Sequence, residues 1–319
     1  MKNFLIVLKG MAMGIAEVIP GLSGSTVALL VGVYDDFIGL LYGISECVKS
    51  VARFLVRKGT LQDVKDALRT IDFSFAFPLL LGMGMAFVIF SRVILYLLEH
   101  HTPYTLAFLA GLIPPVLVIL FRQMGQKTGK EYGLMVVSFV TCFIILGLPA
   151  RDISGEPNIA YVFLGGVIAI SAMVLPGISG SFMLLILGLY EYVIGMVSRM
   201  TYFDVTSSEL IRLCVFVAGV FCGFVGFIRL LRYLFVHYKN IILACLFGLV
   251  LASLRVLWPF VEANAGEDHE LVFVRTSLST YSLAEIALVG VVFIITSAGI
   301  IFVEPRFRSS STITFPEKD

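Results

Sequence analysis

Two stretches of this chain, IPGLSGSTVALLVGVYDDFIG (19–39) and LPGISGSFMLLILGLYEYVIG (175–195), are the same segment written twice. From Pro20 to Gly39, ten of twenty positions are identical at a shift of 156, among them Pro20/Pro176, Ser23/Ser179, Ser25/Ser181, Gly32/Gly188 and Tyr34/Tyr190. Upstream, Gly10/Gly166 and Ala16/Ala172 match at the same shift. Beyond a polar connector that is longer in the first half, the shift becomes 137. There Gly82/Gly219, Phe87/Phe224, Arg92/Arg229, Tyr96/Tyr233, His100/His237 and Gly111/Gly248 coincide. Matches at two consistent offsets mean an internal repeat, and a repeat decides the fold before any single element does.

The repeated unit is built for lipid. Hydrophobic residues make up 59% of the 319 positions and charged residues 14%, with a mean hydropathy of +0.98. A soluble domain keeps about a quarter of its residues charged, so this surface suits hydrocarbon rather than water. Runs near the roughly 20 apolar residues that cross a bilayer recur at 4–19, 21–45, 73–98, 104–121 and 132–148. The set returns at 159–175, 177–197, 210–236, 241–258 and 283–303. The net charge of +1 sets up no field toward nucleic acid. Cys47, Cys142, Cys214, Cys222 and Cys245 show no metal-ligand spacing and read as small packing residues, so neither metal nor cofactor is expected. At the N-terminus Lys9 interrupts the apolar run, Glu17 follows, and no small-residue cleavage site appears. The first segment is therefore expected to remain.

The expected fold is all-α: a polytopic membrane protein of two repeats, each a re-entrant or broken helical hairpin followed by three transmembrane helices. The first repeat covers 1–150, with its hairpin at 4–45 and an amphipathic connector helix within 46–72. The second covers 151–308, with a loop at 263–270, and 309–319 is a frayed tail.

Charge orients these segments. With Lys2 and Lys9 cytoplasmic, each hairpin returns to the side it left. Lys49, Arg53, Arg57, Lys58, Lys65 and Arg69 then lie inside, 99–103 outside, and Arg122, Lys127 and Lys130 inside. Segments 151–158 and 198–209 fall outside, His237 and Lys239 inside, the acidic 262–270 outside, and Arg306 and Arg308 inside. The strongly basic connectors share one face, as the positive-inside rule requires, with Arg151 and Arg199 as lone exceptions. Three crossings after the first hairpin make an odd total, so the second repeat is inverted. Both termini are then cytoplasmic, in a plasma or inner membrane.

The hairpin turns supply the chemistry. Pro20-Gly21 and Pro176-Gly177 break a helix inside an apolar stretch, because proline lacks an N–H and clashes with the preceding turn. Broken backbone at membrane depth survives only where protein or a wet cavity encloses it. Ser23, Gly24 and Ser25, with Ser179, Gly180 and Ser181, then offer hydroxyls and free N–H groups at a new helix start. Such a start suits phosphate or carboxylate, and two of them approaching from opposite faces form a usual transporter site. The alternative is a kink with small residues for close helix packing; duplication in inverted halves favours the site.

Segments MGIAEVIPGLSGSTVALLVGVYDDFI (13–38) and IAISAMVLPGISGSFMLLILGLYEYVI (168–194) resemble the two signature segments of a bacterial membrane family of polyprenyl-phosphate (undecaprenyl-phosphate) transporters. That family was long catalogued as a domain of unknown function. The resemblance spans most of the chain and implies return of the lipid carrier of cell-wall synthesis from the outer to the cytoplasmic leaflet. Substrate identity comes from the resemblance, not from spacing. The partners it implies are the polyprenyl-phosphate lipid and the surrounding membrane lipids.

Other polar residues fit an anionic lipid. Arg92, Tyr96 and His100 lie at i, i+4 and i+8 on one helical face, and Arg229, Tyr233 and His237 repeat it. An arginine fork grips phosphate bidentately, although arginines this close to a helix end also reach headgroups by snorkelling. Glu17 has no acidic counterpart, since the shift of 156 lands on Met173. An acid at membrane depth is functional by default. Moving a phosphate toward a negative interior costs about 2.3 kcal/mol per charge at 100 mV, which co-moving protons remove. Glu17, His100 and His237 are the candidate carriers.

Two other functions share some of these features. Integral-membrane polyprenyl-diphosphate phosphatases carry a related PG-x-S-R-S segment, but here glycine (Gly24, Gly180) occupies the arginine position and the carboxylate-rich first motif is reduced to Glu17. A transporter of a small soluble anion would use the same centre with a sealed aqueous path.

Overall fold

A computed structural model describes residues 2–18, 22–125, 127–149, 151, 155–201, 206–265 and 271–307. The first half contains α1 (Lys2–Val18), α2 (Gly24–Leu30), α3 (Tyr34–Leu55), α4 (Leu61–Arg69), α5 (Phe73–His100), α6 (Thr102–Ala110), α7 (Ile113–Gln123) and α8 (Gly129–Ile145). The second contains α9 (Ile159–Val174), α10 (Gly180–Ile186), α11 (Tyr190–Thr201), α12 (Ser207–His237), α13 (Lys239–Ser253) and α14 (Leu283–Phe307). Between α13 and α14, β1 (Val261–Ala265) pairs antiparallel with β2 (Leu271–Arg275).

Among the described residues four spans are long and apolar enough to cross a membrane: Phe73–His100, Thr102–Gln123, Ser207–His237 and Leu283–Phe302. The outward faces of these helices carry side chains such as Phe77, Val88, Phe221 and Ile295, exposed as lipid contacts require. Pro114 and Pro115 divide the apolar stretch expected at 104–121 into α6 and α7, with proline in the first turn of α7 where a missing N–H costs nothing.

Three further expectations are corrected. The stretches at 21–45 and 177–197 are each two helices, because Gly32 and Gly188 turn the chain with φ of 68°. A left-handed φ is open to glycine at little cost. In the second copy α10 and α11 meet at a 112° bend. The connector at 46–72 is also divided. Residues 46–55 complete α3, Arg57 turns at φ 56°, and only α4 is a separate helix, started by a capping box between Thr60 and Asp63. Of the loop expected at 263–270, residues 263–265 belong to β1, while 266–270 and the tail at 309–319 lie outside the described residues.

Packing follows the repeat. α1 lies against α5 as α9 lies against α12, and both contacts bring backbone against backbone. A Cβ at Gly10 would meet the Leu79 carbonyl, and one at Gly82 the Val7 carbonyl. Their repeats behave alike: Gly166 faces the Phe216 carbonyl and Gly219 the Phe163 carbonyl. This small-residue seam is how apolar helices associate where lipid is as apolar as leucine. The halves join most closely where α8 meets α13, with a Cβ at Gly248 set to meet the Met135 carbonyl, and also where α3 meets α12, α6 meets α14 and α7 meets α13. Ile113, Val116 and Leu120 share one buried cluster there with Leu243, Leu246 and Val250.

Candidate functional site

The two Ser-Gly-Ser segments start α2 and α10. Ser23 is the N-cap of α2, in extended backbone, and its hydroxyl accepts from the Ser25 N–H at 3.3 Å. The Ser23 and Ser25 hydroxyls lie 2.6 Å apart, and those of Ser179 and Ser181 lie 2.7 Å apart. Ser23, Ser25 and Thr26 are all buried, as is Ser179, but Ser181 is exposed. The hydroxyl pair is common to both copies, but Ser179 makes no side-chain capping bond and the two copies differ in access.

The segments also touch each other. Gly177, at φ 95°, donates its N–H to the Thr26 hydroxyl at 2.8 Å, and the Ser23 hydroxyl donates to the Met173 carbonyl at 3.5 Å. Pro176 and Gly180 are buried beside them, as is Gly24, while Pro20 and Gly21 lie outside the described residues. α2 and α10 are seven residues each. So short a helix develops little macrodipole, and the polarity here comes from hydroxyls and backbone N–H groups.

Glu17, at the end of α1, occupies part of the first copy. Its Oε1 accepts the Gly24 N–H at 2.9 Å. At the matching place in the second copy stands Met173, and among the described residues no acceptor takes the Gly180 N–H. The first copy therefore carries a carboxylate against its backbone where the second carries none.

The arginine–histidine faces repeat in detail. His100 stacks on Tyr96 with ring centroids 4.3 Å apart and places Nδ1 3.1 Å from the Tyr96 carbonyl. His237 does the same with Tyr233, at 4.3 Å and 3.0 Å. Both histidines and Arg92 are exposed, and Arg229 is half-buried. Among the described residues no hydrogen bond or ion pair links these faces to the serines. Arg229 instead meets Glu46 of α3, a residue that sequence reasoning missed, with Nη2 to Oε1 at 2.6 Å. Thr26 was missed as well; its only signal was that the copies differ there, Phe182 standing opposite.

On the surface, Arg199 pairs with Glu209 at 2.6 Å, which neutralises one of the two basic exceptions in the charge pattern. No group of three potential metal ligands gathers among the described residues.

Residues 13–271 match the family described as undecaprenyl phosphate translocase-like. A polyprenyl-phosphate transporter of Vibrio cholerae serotype O1 is 32% identical over 255 residues, covering 80% of this chain and 77% of the relative. A polyprenyl-phosphate transporter of Staphylococcus aureus is 32% identical over 274 residues, covering 82% and 88%. Both relatives are named as transporters and not as enzymes. No solved structure matches the chain at a significant level.

Proposed function

The chain belongs to the undecaprenyl phosphate translocase-like family, and from that premise we propose that it carries polyprenyl phosphate, with undecaprenyl phosphate as substrate, from the outer to the cytoplasmic leaflet. The observation that carries this reading is the meeting of the two Ser-Gly-Ser segments through Thr26 and Gly177. Hydroxyls and amides gathered at broken helices in an apolar body are donors for a phosphate and poor company for anything uncharged.

The two repeats sit in opposite orientations, each with a re-entrant hairpin, and both termini face the cytoplasm. Ser179, Gly180 and Ser181 form the more open phosphate seat, with Ser23, Gly24 and Ser25 behind it. Pro176-Gly177 keeps the backbone broken beside this seat, Pro20-Gly21 is its counterpart in the sequence, and Arg92 and Arg229 guide the headgroup at the two ends. Glu17 is the best-placed proton carrier, since it already touches the first segment, and His100 and His237 serve at the helix ends. Protonation along this route offsets the work of moving phosphate charge inward.

Reconstitution in liposomes with a leaflet-resolved assay of polyprenyl phosphate tests the function. Phosphate-dependent movement of the lipid supports it. Release of inorganic phosphate from the diphosphate lipid would make the protein a hydrolase, and uptake of a soluble anion without lipid movement would make it an ion carrier. Cysteine labelling at Gly59 and Ala265 tests the inversion: the two are expected on opposite faces, and labelling from one face sinks it.

A further inference from the structure

The helices α5 and α12 carry the same Arg–Tyr–His face, yet their arginines are held differently. Arg92 stands exposed on α5 and makes no ion pair among the described residues. Arg229 reaches from α12 to α3, where Nη2 and Nε both donate to Oε1 of Glu46, at 2.6 and 3.1 Å. The other oxygen of that carboxylate lies 4.0 Å from Lys49 Nζ. The paired side chains remain 32% and 27% exposed, so an incoming group can reach them. The asymmetry is already in the sequence, because the shift of 156 carries Glu46 onto Tyr202 and no acid stands at the matching place.

We infer that Glu46 is the release residue of this transporter, a carboxylate that competes with the substrate phosphate for the Arg229 guanidinium. The Nε–Nη2 edge of a guanidinium is the edge that takes a phosphate or a carboxylate, and one such partner fills it. At Arg229 the edge is already filled. A phosphate arriving there must displace Glu46, and a phosphate leaving is replaced by it. At Arg92 no such competitor stands among the described residues, so the same headgroup is held more firmly. A partly exposed ion pair shifts an equilibrium by up to about fivefold. That is enough to bias release without blocking passage. Neighbouring contacts hold α3 beside α12 independently of the carboxylate. The Arg232 guanidinium lies 3.9 Å from the Tyr42 ring centre, and Tyr34 meets Phe235 edge-on at 6.1 Å.

This role rests on the proposed polyprenyl-phosphate reading and adds the group that lets the phosphate go. The test is Glu46→Gln, with Glu46→Asp beside it, in full-length protein reconstituted in bilayers. Binding of polyprenyl phosphate and leaflet-resolved delivery are both measured. Glu46→Gln is expected to bind the lipid up to about fivefold tighter and to deliver it correspondingly more slowly. Capture at the Arg92 end should stay at the wild-type rate. Glu46→Asp, which draws the carboxylate back by one methylene, should give an intermediate gain in affinity, and it stands in if the glutamine variant does not fold. In an Arg229→Gln background, Glu46→Gln should change nothing further. Unchanged or weaker binding beside an active wild type overturns the release role alone, as does an equal fall in capture and delivery. A wild type that binds no polyprenyl phosphate overturns the functional reading as well.

Discussion

The N–H of Gly177 donates to the hydroxyl of Thr26 at 2.8 Å, so the broken backbone of one half is completed by a side chain of the other. Both groups are buried, and a buried donor without a partner costs about 1–3 kcal/mol. Thr26→Val keeps the shape and removes the acceptor. The expected outcome is a drop of that size in stability, with transport falling further than the folded fraction. Thr26→Ser should restore both. Thermal unfolding in detergent and transport in liposomes, measured on the same preparations, check it; an innocuous valine would mean that the bond does not bind the halves together.

The serines should separate by access. Each of Ser25 and Ser181 shares a hydroxyl bond with the serine two residues before it, but Ser25 is buried whereas Ser181 is exposed to partners that can replace the bond. Ser25→Ala is expected to cost about 1 kcal/mol of stability through the lost hydrogen bond. Ser181→Ala should leave stability within about 0.5 kcal/mol and weaken headgroup binding instead. Lipid-binding isotherms beside unfolding curves distinguish the two. Unaltered binding in the Ser25→Ala/Ser181→Ala double variant would return the motif to a packing role.

The arginines should be inequivalent. Arg92→Gln is expected to depress uptake from the outer leaflet most, and Arg229→Gln to slow delivery to the inner one. Lysine should rescue only in part, because an ammonium lacks the bidentate fork. Snorkelling alone predicts that lysine substitutes freely. Leaflet-resolved rates per folded protein decide the matter, and wild-type rates in both glutamine variants would end the gripping role.

The glycine seam gives a stability contrast on one helix. A Cβ at Gly82 runs into the Val7 carbonyl, while one at Gly84 meets nothing within 4 Å. Gly82→Ala is expected to destabilise by about 1–3 kcal/mol through overpacking. Gly84→Ala should be neutral, or stabilising by up to about 1 kcal/mol through helix propensity. Unfolding curves of the two variants suffice, and equal effects would contradict the seam.

Much of the fold was legible because the repeat is marked at places where backbones meet. Gly10/Gly166 and Gly82/Gly219 are sequence identities and also the points of closest helix approach. Side-chain packing tolerates exchange among apolar residues, whereas such points admit only glycine. The break at Gly32 and Gly188 leaves no mark in the hydropathy, because residues 29–33 and 185–189 are apolar around the glycine and hydropathy does not record a left-handed φ. The Glu46–Arg229 pair joins positions 183 apart in the chain. Nothing periodic announces it, since it depends on how α3 of one half is laid against α12 of the other. The serines were found by composition and duplication, but their unequal exposure follows from the tertiary packing around each copy.

The glycine seams also govern what kind of motion the molecule allows. Two helices whose backbones touch have no cushion of side chains between them, so they cannot slip past one another without collision. α1 with α5, α9 with α12 and, across the halves, α8 with α13 at Gly248 therefore travel as stiff pairs. Shear is left to padded surfaces such as those where α3 borders α12 and α7 borders α13, and a stroke that moves a headgroup through the protein is taken up at surfaces of that kind.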